Sequence, residues 1–180
     1  TYVMKNFTVA LLGLAVLFTS SAYAEGLSLG ASLGYVNVED SDPGFDFEAT
    51  DTGYKLFASY EFSNHLGIEG GYIDFGKPED QILGSFGQID ASGWNLYGVG
   101  NLPLSGGVDL FAKAGIVSWD ADSIIDGILV DTADGNDLAL GFGARWNIGE
   151  AFGLRAEADW FDIDEADSIW MASVGFELRF

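Results

Sequence analysis

Eight stretches of this chain alternate, residue by residue, between apolar side chains and small or charged ones, and the connections between them are long and short in strict alternation. A two-residue period belongs to a β-strand whose two faces meet different surroundings. Alternating connections place consecutive strands antiparallel, with every long connection at one end. The last stretch, "SVGFELRF", shows the period most clearly. Counting back from the end, Phe180, Leu178, Phe176, Val174, Ala172 and Trp170 share one face, and Arg179, Glu177, Gly175, Ser173 and Met171 share the other.

The same pattern recurs in "LSLGASLGY", where Leu27, Leu29, Ala31, Leu33 and Tyr35 oppose Ser28, Gly30, Ser32 and Gly34. It recurs again from Gly53 to Phe62, Leu66 to Tyr72, Gly93 to Leu102, Val108 to Val117, Leu138 to Ile148 and Phe152 to Phe161. The turns "SNH", "PLSGG" and "GEA" are the short connections. The polar runs after Tyr35 and Tyr72, "WDADSIIDGILVDTADGND" and "DIDEAD" read as loops.

The first 24 residues are of another kind. A charged start at Met4 and Lys5, the apolar run Phe7 to Phe18, and small residues at Ala22 and Ala24 fit a cleavable signal peptide. The run is too short for a membrane helix, which needs roughly 20 apolar residues. The expected initiator is Met4, and the expected mature chain is a single domain over 25–180. With 48% hydrophobic residues and a mean hydropathy of +0.20, it is no disordered linker. Seven Lys and Arg against 28 Asp and Glu give a net charge of -21, which excludes nucleic acid as a partner. The absence of cysteine removes disulfides, thiolate metal sites and cysteine nucleophiles.

Which face is wet decides the class. A soluble eight-stranded barrel has an apolar interior and a freely charged outside. Here the non-apolar face is rich in glycine and carries Lys55, Lys113, Arg145, Arg155 and Arg179, every basic residue of the mature chain except Lys77. Small residues alternating with long ionic ones fit a narrow polar lumen, and the expected partners are Glu61, Glu69, Glu157, Asp159 and Glu177, since an unpaired confined charge is costly. On the apolar face, Tyr35, Tyr54, Tyr72, Trp94, Trp160 and Trp170 fall toward the long loops, and Phe62, Trp146, Phe152 and Phe180 toward the short turns. Two aromatic girdles around an aliphatic band are the pattern of a transmembrane β-barrel, and closure satisfies every backbone group in the bilayer. The fold expected is all-β, an eight-stranded antiparallel up-and-down barrel.

With "LGIEGGYIDFG", "NLPL" followed by "LFAKAGI", and the terminal "SVGFELRF", the chain resembles the OmpA-type outer-membrane barrels of Gram-negative bacteria over essentially all of Glu25 to Phe180. The resemblance implies export through the periplasm and residence in the outer membrane with lipopolysaccharide. It also implies that Phe176, Leu178 and Phe180 form the signal read by the barrel assembly machinery. Nothing follows Phe180, so the peptidoglycan-binding domain of the full-length archetype, and its wall-anchoring role, are not expected.

Some barrels of this size modify lipid A and need a histidine placed beside serine or a carboxylate. The one histidine, His65, sits in a short turn, and no enzyme or cofactor is expected. The run with Asp120, Asp122, Asp126, Asp131, Asp134 and Asp137 offers hard oxygen ligands, but Ile124 stands at the third ligand position and Gly127 comes two residues late for an EF-hand. A solvated acidic loop is the favoured reading, with weak divalent binding left open. Acids also crowd the other loops, with Glu39, Asp40, Asp42, Asp46, Glu48 and Asp51 in the first, Glu79, Asp80 and Asp90 in the second, and Asp162, Asp164, Glu165 and Asp167 in the last. The expected function is that of a monomeric surface barrel with a plugged lumen, and a narrow porin is the alternative.

Overall fold

The computed structural model describes residues 26–42, 45–77, 79–82, 85–125, 128–163 and 168–180. The expected signal peptide, with Met4 and the cleavage before Glu25, lies outside the described residues. The described residues form nine strands: β1 Leu27–Asp42, β2 Phe45–Ser63, β3 Leu66–Asp74, β4 Glu79–Ile82, β5 Ser85–Pro103, β6 Val108–Ile125, β7 Ile128–Ile148, β8 Phe152–Asp162 and β9 Ser168–Arg179. Both β3 and β4 pair with β5, so they are two pieces of one stave. Pairing of β9 with β1 closes an antiparallel up-and-down barrel of eight staves.

A walk along hydrogen-bonded partners fixes the geometry. It starts at Ser28, passes Ser59, Glu69, Tyr97, Gly115, Ala139, Phe161 and Ile169, and returns to β1 at Val38, ten residues further along. A stagger of that size over eight staves tilts them by about 40° and leaves an interior that side chains alone can fill.

The short turns are tight. Gly107 and Gly149 stand at φ of 75° and 72°, a region that side-chain-bearing residues rarely adopt. The long connections differ from the sequence reading. The polar runs expected as loops continue the strands, so that β1 pairs with β2 out to Asp42 and Phe45, and β6 with β7 out to Ile125 and Ile128. Backbone pairing needs no apolar face, so hairpins that rise into water keep their ladder after the alternation of apolar residues ends. Strands of 16, 19, 18 and 21 residues in β1, β2, β6 and β7 far exceed the roughly 9–11 that cross a bilayer.

The third stave is broken after Asp74 for a local reason. The N–H of Gly76 donates to Asp74 Oδ1 at 2.9 Å, and that of Lys77 to Asp51 Oδ2 at 2.5 Å. Gly76 has a φ of 79°, and a Cβ there would lie 2.7 Å from the Asp51 carboxylate. Phe75 still donates its N–H to Ala91 O at 3.0 Å, which carries the stave across the break.

Candidate functional site: the closed lumen and the outer wall

Side-chain direction follows the strand period without exception across the band. Leu33, Leu56, Leu96, Ile116, Leu140 and Phe142 stand exposed on the outside, while Lys55, Glu69, Lys113, Arg145, Arg155, Glu157, Asp159 and Glu177 are buried inside. This inverts a soluble barrel. Glycines on the inner face make the room: a Cβ at Gly30 would strike the Phe57 ring, and one at Gly143 would lie 2.6 Å from Phe111.

The inner charges form one connected column. Glu157 is at its centre, paired with Lys55, with Lys113 at 3.0 Å and with Arg155 at 2.7 Å. Lys55 also reaches Asp159, and Lys113 bridges Asp159 at 2.9 Å and Glu69 at 3.1 Å. Arg155 holds Glu69 through two nitrogens, at 2.6 and 3.2 Å, a fork that suits a carboxylate. Toward the short turns the column continues through Arg145, which meets Glu177 at 2.7 Å and Glu61 at 2.7 Å, and ends at Arg179, 2.9 Å from Glu177. All ten residues expected in the lumen therefore point inward and are joined in pairs. Asp109 belongs with them: it lies 4.0 Å from Arg145 and accepts a hydrogen bond from Asn147 Nδ2 at 2.8 Å.

Aromatic rings brace the cations. Lys113 Nζ sits 4.5 Å from the centre of the Tyr97 ring, and Arg155 lies between Phe57 at 4.5 Å and Phe111 at 4.3 Å. Such contacts with desolvated cations add attraction beyond the ion pairs.

At the hairpin end the lumen changes character. Val36, Val38, Ile73, Phe75, Val117, Trp119, Ala139, Phe161, Ile163 and Met171 pack into one buried apolar cluster. Phe75 and Phe161 meet edge-on at 5.1 Å, and Trp119 Nε1 donates to Asp137 Oδ2 at 2.5 Å, satisfying the one polar atom of the indole. The sequence reading missed this plug. Its signal was present: past the girdle, the positions of lumen parity turn from glycine and charge to Val36, Val38, Phe75 and Trp119.

Outside, the residues of the hairpin-end girdle make an arc of contacts. Tyr35 lies 6.5 Å from Trp170, Tyr54 6.2 Å from Tyr72, and Tyr72 5.3 Å from Trp94, while Trp160 and Trp170 are register partners. At the turn end, Phe62, Trp146 and Phe180 stand exposed, Phe152 is half-buried and stacks on Phe176 at 6.2 Å, and Tyr60 joins Phe62 at 5.4 Å. Phe176 and Leu178 share the outward face of β9 with Phe180.

The remaining candidates stay apart. The His65 side chain is exposed in the turn between β2 and β3, where the His65 backbone N–H donates to Ser63 Oγ at 3.3 Å. Of the acids considered for calcium, Asp126 lies outside the described residues. Asp120 and Asp134 face each other across β6 and β7, and Thr132 donates to Asp122 at 3.0 Å. Among the described residues no group of three or more acidic or histidine side chains converges on a metal position.

A closed barrel with an ionic interior and an apolar, aromatic-rimmed exterior defines a transmembrane β-barrel protein. The outer membrane protein beta-barrel domain family matches residues 7–180, and the chain belongs to that family. Its fold is similar to that of Neisserial surface protein A, at 12% identity and a TM-score of 0.71, over 87% of this chain and 98% of that one. It is also similar to the N-terminal barrel domain of OprF from Pseudomonas aeruginosa, at 14% identity and a TM-score of 0.63, over 87% and 98% of the two chains. Ail, the attachment invasion locus protein of Yersinia pestis in complex with the heparin analogue sucrose octasulfate, aligns at 21% identity and a TM-score of 0.59, over 87% and 99%. At these identities the likeness is one of fold. No curated protein matches the sequence.

Proposed function

We propose that this chain is a small outer-membrane protein that works as a closed barrel, with a structural role in the membrane and a surface-interaction role through its raised hairpins. The observation that carries this reading is the double closure of the lumen, a column of ion pairs beneath an apolar plug. Eight staves leave no free bore once those side chains are in place.

Export through the periplasm of a Gram-negative bacterium, loss of residues 1–24 and assembly as a monomer among lipopolysaccharide complete the reading. The girdle residues would sit at the two water–lipid boundaries, where amphipathic rings are favoured. Phe176, Leu178 and Phe180 would present the assembly signal. No catalytic role is assigned to His65, whose side chain is exposed in a short turn.

Acidity sets the kind of surface contact. Asp90 pairs with Asp122 and Asp120 with Asp134 across neighbouring strands, and like charges opposite each other are destabilising unless screened. Contacts assisted by salt or divalent cations follow, and polyanions such as the ligand of Ail are poor candidates here. Adhesion that ignores both chelator and ionic strength would count against this part.

The deciding measurement is conductance in planar bilayers, where little or no steady current is expected. A large, stable, ion-selective current would favour the narrow porin. For assembly, Phe180→Asp is expected to lower the outer-membrane yield far more than Phe62→Asp at the same rim, and equal yields would remove any special role for the ending.

A further inference from the structure

Among the described residues the centre of the ionic column is balanced, with Lys55, Lys113 and Arg155 against Glu69, Glu157 and Asp159. Its mouth at the short turns is not. There Arg145 and Arg179 face three side-chain carboxylates, those of Glu61, Asp109 and Glu177. Glu177 engages both cations and Glu61 takes Arg145 Nη1, while Asp109 stands 4.0 Å from that same nitrogen, too far for a hydrogen bond. What Asp109 does receive is a neutral donor, Asn147 Nδ2, at 2.8 Å on Oδ2. The mouth thus holds a negative charge that no cation of its own answers.

An orphaned atom lies beside it. Asn101 is only 8% exposed, and its Oδ1 has no hydrogen-bond partner, while its Nδ2 donates to Glu61 Oε1 at 3.4 Å. A buried polar oxygen without a donor is costly and calls for water or an ion. The register gathers these groups on one inner surface. Asn101 lies opposite Phe111 on β6, and Asp109 is two residues along on the same face. Glu61 reaches Asn101 past Gly67 of the intervening β3, where a Cβ would lie 3.5 Å from Glu61 Cγ.

We propose that Glu61, Asn101 and Asp109 form a calcium site at the short-turn mouth of the lumen, which ties β2, β5 and β6 together. The donors are hard oxygens, two carboxylates and an amide, and the Glu61 and Asp109 side chains are 31% and 18% exposed, so water can complete the shell. Calcium accepts such an irregular set, whereas magnesium demands a near-ideal octahedron. Arg145 remains on Glu61 Oε1 and on Glu177, leaving the ion the other oxygens. A guanidinium this near, with only two carboxylates as ligands, keeps the dissociation constant at about 0.1–1 mM. The site is separate from the acidic hairpins, which rise from the opposite end of the barrel.

The test is calorimetric titration of calcium chloride into the whole barrel, stripped with chelator and held in detergent. Each sample is first checked for the heat-dependent shift of a closed barrel on SDS gels. One saturable site is expected in the unaltered protein. Asp109→Asn keeps the shape and the acceptor for Asn147, and Asn101→Leu keeps the volume without the amide oxygen; each should weaken binding about tenfold or more. The double variant Asp120→Asn, Asp122→Asn on the raised hairpin should leave this site unchanged. No saturable binding by the unaltered barrel, full-strength binding by either mouth variant, or equal affinity for magnesium chloride would each overturn the proposal. Should a variant fail the gel check, the unaltered barrel still decides. Manganese(II) used in place of calcium should broaden the side-chain amide NMR signals of Asn101 and Asn147 before that of Asn136 on the hairpin, and the reverse order sinks the site.

Discussion

The lumen has two storeys built on opposite principles. Toward the short turns most large inward side chains are charged or brace a charge, as Glu157 is held by Lys55, Lys113 and Arg155. Toward the hairpins the same inward positions carry Val36, Phe75, Trp119, Phe161 and Met171, held by packing, with one hydrogen bond from the Trp119 indole to Asp137. The ionic storey is specific but brittle, because removing one partner leaves buried charges of the other sign in excess, even where each keeps a second contact. In the apolar storey a lost ring costs a cavity, and neighbours can relax into it. On the closed-barrel reading proposed above, they would act as two seals of different chemistry in series.

The comparison breaks most sharply at Glu157. Glu157→Gln takes one carboxylate from three cations and should cost about 3–5 kcal/mol, measured by urea unfolding in detergent. Phe161→Ala in the plug should cost about 3 kcal/mol, toward the lower end of such truncations, because the open mouth lets the neighbours collapse. Neither variant alone should conduct, since the other seal remains, whereas the combined variant should pass current in a planar bilayer. Conductance from either single change would show that the two storeys are not independent barriers.

Smaller effects sharpen the gradient toward water. Arg179 is half-buried at the rim, 2.9 Å from Glu177, and Arg179→Ala should cost about 1 kcal/mol by the same unfolding assay. A further ion pair joins Lys77 to Asp90 at 2.9 Å, with both side chains open to water. The hydrogen bond and charge of Asp90 raise the Lys77 value above that of a free lysine. A raised value means that the contribution is complete below the ordinary lysine range and is lost as pH rises through the folded value. Lys77→Ala should therefore leave the unfolding midpoint unchanged within error near neutral pH, and any difference should vanish in strong alkali. A large change at neutral pH would place this pair in the fold's framework after all.

What the sequence made legible divides along the same line. Wherever lipid lies on one side and the lumen on the other, the alternation of two residue classes named the staves, their faces and the ten inward charges, because each position answers to a single environment. Above the girdle both faces of the hairpins meet water or one another, so residues such as Asp120, Asp134 and Thr132 carry no contrast, and paired strands read as loops. The plug escaped for a related reason. Trp119 and Phe75 follow the lumen parity, yet they lie in runs whose other residues are polar, and only the continued ladder places them over the ionic storey. The break after Asp74 depends on two carboxylates capping backbone N–H groups, one of them from another stave, a contact that no local pattern announces.

The closing seam has a consequence for how the barrel is made. Its first and last strands are hydrogen-bonded along their length, with Leu29 opposite Leu178 and the Phe180 N–H donating to Leu27 O at 2.9 Å, although nearly the whole chain separates them in sequence. Seven of the eight stave pairings are local hairpins and one is of the highest contact order, so the topology concentrates the entropy of ring closure at a single joint. A circular permutant that links β9 to β1 and opens at Gly149 would turn that joint into a hairpin and make the β7–β8 pair the distant one. Every register would be unchanged in the finished ring, and only the order and rate of its formation would move.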